Sequence, residues 1–214
     1  MSGRKRTPQA PKDPRHSERP PGHGARERQQ ELARAAPIKT FFTRLFNIHT
    51  DERAWRLGAD GEEHVGALLE KIRPHGWHVQ HDVQVGDRGA NVDHLVIGPP
   101  GVFVLNTKNV DGNVWVGGDV VMVKGYRTAY VEKLEAEAQR VRRCLLKATR
   151  LRSLWVQGLL VFVRPDMVIK QQPRNVVALE DGELLQHLRK QPVQLEPEDV
   201  ENLASAARQE STWC

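Results

Sequence analysis

Apolar side chains recur at intervals of three and four through Val65, Leu68, Leu69 and Ile72, the stripe of a helix with one buried face. The spacing predicts a helix over about Ala59–Ile72, with Gly58 and Gly61 on one side, where they would let its first turn approach another backbone closely. Glu62 lies three residues before Val65 and seven before Leu69, on the apolar stripe itself, whereas Glu63 turns further to solvent. The helix dipole favours an acid near a helix start by ~0.3–1 kcal/mol, but it gives no reason for one to face inward. After the Pro74–Gly76 break the period falls to two, and Trp77, Val79, His81, Val83 and Val85 read as a strand. The turn Gly86-Asp-Arg-Gly89 then leads to Asn91–Lys108, where two short apolar strands meet at Gly98-Pro-Pro-Gly101. Neither helix nor continuous strand crosses that breaker. Three polar groups interrupt this hairpin, Asp93, Asn106 and Lys108, and alternation sends Asn106 and Lys108 to one face. A buried acid and lysine are costly unless paired or holding a ligand.

Further along, Asn113–Val116 and Val120–Val123 form a hairpin around Gly117-Gly118-Asp119. A long helix is expected from about Arg127 to Leu151, with Val131, Leu134, Ala138, Val141 and Leu145 inward. Its other faces, and the residues just past it, carry Arg140, Arg142, Arg143, Lys147, Arg150 and Arg152. Trp155–Val163 is an apolar run suited to a central strand, stopped by Arg164-Pro165-Asp166. Asn175–Leu179 reads as another strand, Asp181 as the N-cap of a helix over Gly182–Lys190, and Pro197 as the first-turn residue of a last helix to about Gln209. This order predicts an α/β fold, a sheet covered by helices on both faces.

Charge changes the picture at the N-terminus. Residues 1–28 hold eight Lys/Arg against three acids, which accounts for the whole net charge of +5. They also hold five of the thirteen prolines and almost no large apolar side chains, so residues 1–36 read as a disordered basic tail suited to polyanions. Residues 37–50, Pro-Ile-Lys-Thr-Phe-Phe-Thr-Arg-Leu-Phe-Asn-Ile-His-Thr, form an aromatic and basic lead-in. They suit a membrane surface or nucleic acid, or simply a helix docking its phenylalanines on the core. A core over 51–152 and C-terminal strands and helices over 153–214 complete one domain. Two cysteines, Cys144 and Cys214, give no disulfide framework or thiolate metal site, which points to a reducing compartment. The N-terminus lacks the apolar stretch of a signal peptide, and Leu154–Val163 is too short to span a bilayer. The cytoplasm is the expected location. His75, His78 and His81 look at first like a metal cluster, yet His78 and His81 face opposite sides of a strand and His94 faces away from Asp93, which argues against zinc.

With Glu62 on a helix, Asp93 on one strand and Asn106-Thr-Lys108 on the next, the chain resembles the nuclease-related domain, a branch of the restriction-endonuclease-like superfamily with an Asp … Asp/Glu-x-Lys core. The matching segments are Gly58-Ala-Asp-Gly-Glu-Glu63, Val92-Asp-His-Leu-Val-Ile-Gly98, Gly101-Val-Phe-Val-Leu-Asn-Thr-Lys108 and Gly112, within roughly Trp55–Leu151. The resemblance implies a restriction-endonuclease-like core, a mixed sheet flanked by helices, and metal-dependent hydrolysis of nucleic-acid phosphodiesters, with DNA preferred over RNA. It assigns Glu62, Asp93, Asn106 and Lys108 to the catalytic site. Mg²⁺ or Mn²⁺ would be bound by Asp93, Asn106 and the Thr107 carbonyl, with Glu62 reaching it through water. Lys108 would orient the water and stabilise the transition state, and Gln139 would brace the site or meet substrate. Asn106 stands where the family has an acid; its amide can ligate a cation but brings no charge, so Glu62 would move closer, or the domain would bind nucleic acid without cutting. A third reading is a membrane- or partner-associated scaffold working through Ile38–Ile48.

Overall fold

The computed structural model describes residues 51–86 and 90–213. The basic tail, the lead-in segment and turn residues 87–89 lie outside the described residues. Helix α1 is Asp51–Glu70. It starts earlier than the apolar stripe predicts and runs straight through Gly58 and Gly61, each of which costs a helix interior about 1 kcal/mol. Docking on a strand offsets that cost, because the Asn109 amide donates to the Leu57 carbonyl at 2.9 Å. Only one of the two glycines is needed for close approach. A Cβ at Gly61 would lie 2.7 Å from the Asn109 Cβ, whereas one at Gly58 meets nothing within 4 Å.

Strands β1 (His78–Val85), β2 (Ala90–Gly98) and β3 (Gly101–Lys108) form the expected antiparallel meander, with Pro99-Pro100 as its tight second turn. The next hairpin, β4 (Asn113–Gly117) and β5 (Val120–Val123), also matches expectation. It then gains a third strand, β6 (Tyr126–Thr128), so Arg127 pairs with Met122 instead of opening the long helix. Lys124 and Gly125 both have positive φ, +52° and +80°, the two-residue turn whose twist suits a hairpin. Helix α2 therefore begins at Tyr130 and ends at Thr149. Strand β7 (Val156–Phe162) is followed, past Arg164 at φ +45°, by β8 (Asp166–Gln171), an addition to the predicted elements. Its half-exposed pattern gave little apolar signal. Strand β9 (Val176–Glu180), α3 (Leu184–Lys190) and α4 (Pro197–Ala207) complete the chain, with Pro197 in the first turn as expected. Asp181 does not cap the helix it precedes; its carboxylate accepts instead from the Arg164 N–H at 3.0 Å and meets His64 Nε2 at 2.7 Å.

The main sheet is mixed, in the order β1-β2-β3-β7-β9, with β3, β7 and β9 parallel. β7 is near-continuously apolar because both its faces are covered. On one side α1 and α3 bring Val65, Leu69, Ile72, Leu184 and Leu188 against Phe103, Leu105, Leu159 and Val161. On the other, α2 and α4 bring Leu134, Val141, Val200 and Leu203 against Val102, Val104, Leu160 and Phe162. The fold is thus the expected mixed sheet flanked by helices. A second four-stranded sheet, β6-β5-β4-β8, leans on the α2 side. Among the described residues, no helix is long and apolar enough to cross a membrane.

Candidate active site where three strands part

The polar residues of the central hairpin lie where pairing fails. β1 and β2 pair at His81↔His94 and again at Val83↔Val92, but the rung between them, Asp82 opposite Asp93, drops out. β2 and β3 pair from Gly98↔Gly101 to His94↔Leu105 and no further. Asp82 has φ +51°, a left-handed conformation that Asp tolerates better than most residues. It redirects β1, so that Val79 packs in one core while Val83 and Val85 pack in the other. The Asp82 carboxylate accepts from the Asn91 amide at 2.5 Å.

The Asp93 carboxylate fills the gap between β2 and β3, accepting from the Thr107 N–H at 2.7 Å. A side chain thus takes a backbone donor that the lost ladder would have satisfied. On the other edge β3 stays paired with β7 through Lys108↔Phe162, so the opening is confined to one side. Lys108 Nζ donates to its neighbour's carbonyl, Thr107 O, at 3.2 Å and lies 5.0 Å from the centre of the Tyr130 ring. Asn106 and Lys108 keep partial access to solvent while Thr107 between them is buried, the alternation the hairpin predicts. The Thr107 carbonyl, expected as a cation ligand, carries an ammonium here.

Around this opening the carboxylates crowd one another. Burial pushes the Glu62 carboxyl up to about 8, with Asp93 and Asp82 adding repulsion that Lys108 only partly offsets. Asp93 keeps a narrow opening to solvent, yet burial still raises its pKa against the pull of Lys108 and the Thr107 N–H. The inward-facing position of Glu62 thus places it in the cluster, as its stripe position predicts. A further acid, Glu137 on α2, joins them. Burial and then Asp93 push it up to about 7, opposed by Lys108, Arg140 and a hydrogen bond with Asn106. Its Oε2 is buried with no hydrogen-bond partner among the described residues.

Gln139 is the residue of this helix expected to brace the site or meet substrate. The structure puts Gln139 in a cleft beside Gly101, at the opposite end of β3, because two residues along a helix turn a side chain by about 200°. The signal for Glu137 was present: it follows Leu134 by three and precedes Val141 by four, the same inward-facing acid that singled out Glu62. Asn109, which ties α1 to the end of β3 and so positions Glu62, gave no such signal.

Beyond the cluster, His81 and His94 approach through their Nδ1 atoms at 2.8 Å, and His81 Nε2 reaches Glu70 at 3.0 Å. The two rings cross edge to face at 5.0 Å. Burial holds the pKa of both below the usual histidine value. They form a buried brace between α1 and the β1–β2 ladder. Among the described residues no three His, Cys, Asp or Glu side chains gather tightly enough to hold a metal ion by themselves.

A family model described as the nuclease-related domain matches residues 57–163, from α1 through β7. An uncharacterized protein of Bacillus anthracis is 41% identical over 68 residues, which is 30% of this chain and 30% of that protein. The chain thus matches less than a third of this relative's length. No solved structure matches the chain.

Proposed function

This chain belongs to the nuclease-related domain family, and from that premise we propose that it hydrolyses nucleic-acid phosphodiesters, DNA before RNA, with the help of Mg²⁺ or Mn²⁺. The observation that carries this reading is the opening at Asp93, where two strand pairings fail and acids converge on one lysine. The donor set suits a hard divalent cation. Such ions take oxygen ligands, usually one or two carboxylates together with waters and substrate phosphates, so three tightly gathered acids are not required. The repulsion of Glu62 and of Glu137 by Asp93, and the unpartnered Glu137 Oε2, describe negative charge in want of a cation. Asp93, Glu137 and the Asn106 amide oxygen would hold it, with Glu62 behind them, while the Thr107 carbonyl stays with the Lys108 ammonium. Glu137 would supply from α2 the charge that Asn106 does not supply from β3. When bound, the ion would neutralise phosphate charge and acidify a water.

The protein's own groups do the rest. Hydrolysis joins a water oxygen to phosphorus, breaks one ester bond and gives the leaving oxygen a proton. Lys108, held at the mouth of the site by the Thr107 carbonyl and the Tyr130 ring, places a positive charge beside the oxygens that become more negative. Preorganised help of this kind is worth roughly 3 kcal/mol. Glu62, protonated near neutrality before any cation binds, holds a proton within the cluster. The Thr107 N–H fixes the Asp93 carboxylate, and Asn109 fixes the start of α1 that carries Glu62. The cytoplasm, expected from a chain with only two cysteines, is the proposed place of action.

Incubating the purified protein with plasmid and with short RNA, plus Mg²⁺ or Mn²⁺, tests the proposal. Wild type should cut, and Asp93→Ala and Lys108→Ala should each cut at least roughly a hundredfold more slowly. No cutting by wild type, or equal cutting by the variants, would end it. The uncharged Asn106 supports a second reading, a domain that binds nucleic acid without cutting it. Inactive wild type that gains cleavage through Asn106→Glu would show that the lost acid is what separates the two.

A further inference from the structure

At the other end of β3 lies a feature the site does not use. A cleft of about 660 Å³ is lined by Gly101, Gln139, Arg142, Arg143, Trp155 and Gln194, among others. Its walls are fixed. Arg142 Nε donates to the Leu154 carbonyl at 2.6 Å, which anchors that guanidinium at the rim. The Gln194 and Leu195 N–H groups both donate to the Pro99 carbonyl, at 2.9 and 3.0 Å, strapping the opposite wall to the β2–β3 turn. Trp155 is 57% exposed, although its neighbours Leu154 and Val156 are buried. An indole left in water at the mouth of a cleft, with guanidiniums beside it, forgoes the burial its size would reward.

The α2 wall of the cleft is cationic, lined by Arg142 and Arg143. Between Glu137 and Asp166 the chain carries seven Lys/Arg and no acid. None of Arg142, Arg143, Lys147, Arg150 and Arg152 joins an ion pair among the described residues. Two such guanidiniums, Arg142 and Arg143, in one cleft with a flat aromatic ring match one chemical class closely, a polyanion that also offers flat rings. Single-stranded nucleic acid is that class: its backbone follows a basic groove while unpaired bases stack on aromatic side chains. In a duplex the bases already stack on one another, and the indole gains nothing.

We propose that the cleft is a subsite for an unpaired nucleic-acid strand, with a base stacked on Trp155 and its phosphates held by Arg142 and Arg143. β3 spans eight residues, so the Gly101 edge of the subsite lies roughly 23 Å along the strand from Lys108. It holds the strand several nucleotides away from the bond to be cut. The preferred substrate is accordingly a strand, a flap or a frayed end rather than an uninterrupted duplex. This inference rests on the proposed nucleic-acid function and deepens it.

The test separates the two. Full-length protein in EDTA, which prevents metal-dependent cutting, is titrated into a fluorescein-labelled oligothymidylate and into a blunt duplex of equal length. Wild type should bind the single strand more tightly. Trp155→Ala should weaken that binding about five- to a hundredfold, Trp155→Phe should restore most of it, and duplex binding should change little. Arg142→Ala and Arg143→Ala should each lower the slope of log affinity against log salt by about 0.7. Because Trp155 is largely exposed, its variants should melt with wild type, and a melting curve checks that. Equal affinity for strand and duplex, or strand binding unmoved by Trp155→Ala, overturns the subsite. So does a Trp155→Ala loss that is equal for both probes. Tight, Trp155-dependent strand binding by a protein that never cuts supports the subsite and defeats the nuclease reading. Cutting that proceeds with no Trp155-dependent strand binding does the reverse.

Discussion

Two sets of acids in this molecule behave in opposite ways. Asp181 meets His64 at 2.7 Å and the Arg164 N–H at 3.0 Å, and these bonds, against a desolvation cost, hold its carboxyl below the usual value. Glu70, between Arg73 and His81, is lowered in the same way. Glu62, Asp93 and Glu137 are all raised, first by burial and then by neighbouring acids, Asp93 acting on both glutamates and Asp82 on Glu62 and Asp93, beyond what Lys108 and the other donors offset. The first set sits among cationic partners; the second is crowded with other acids and has few. Perturbed groups gathered at an opening mark function with better odds than perturbed groups scattered over a surface. Here the first set ties helix to sheet, and the second gathers where β1, β2 and β3 part.

The contrast breaks most strongly at Asp93. Asp93→Asn keeps an oxygen for the Thr107 N–H but removes the charge that repels Glu62 and Glu137. Cleavage should fall at least about a hundredfold, while the melting temperature near neutral pH holds or rises. A substitution that costs both activity and stability would make Asp93 one more structural acid. The same logic sets a pH dependence. Glu62 is raised above its unfolded value of 4.5 to about 8, and Glu137 to about 7. The folded state therefore prefers them protonated, and stability without metal should decline as pH rises from the usual carboxylate range to about 8. Mg²⁺ or Mn²⁺ should reverse that decline and release protons on binding. Thermal melts across pH, with and without the ions, read both effects.

Asp181→Asn probes the other set. Its lowered pKa means a contribution present above the unfolded value of 3.8 and lost as pH falls through the folded one. At neutral pH the substitution should cost about 1–2 kcal/mol of stability and leave the cleavage rate untouched, as denaturant titration beside the plasmid assay would show. A change in rate would join the two sets that the pKa directions separate. The smallest expected effects come from α1. Gly58→Ala should stabilise by about 0.5–1 kcal/mol, since helix propensity is all that changes in open space. Gly61→Ala should destabilise by about 1–3 kcal/mol, because its Cβ would press on Asn109. It should slow cleavage as well, by shifting the helix that carries Glu62. Equal signs in melting experiments would mean that Asn109 yields, and that α1 is not held at that point.

The strand–turn–strand hairpin around Asp93, the inward face of Glu62, the apolar stripe of α2 and the central place of β7 were legible in the order of residues. Each follows from a local period, two or 3.6 residues, that neighbours along the chain can express. β6, β8 and the second sheet escaped it, since their strands are short or half exposed and owe their pairing to partners distant in sequence. Which acids meet depends instead on how the elements pack. Glu137 and Gln139 stand two apart on one helix, yet the fold sends one to Asn106 and the other to the cleft by Trp155. The missing rung at Asp82 and Asp93 was equally invisible, because a ladder fails through the geometry of three strands at once. The order of residues placed the Asp93–Lys108 motif on its hairpin; packing of α1 and α2 across the sheet turned that motif into a crowded, charge-frustrated site.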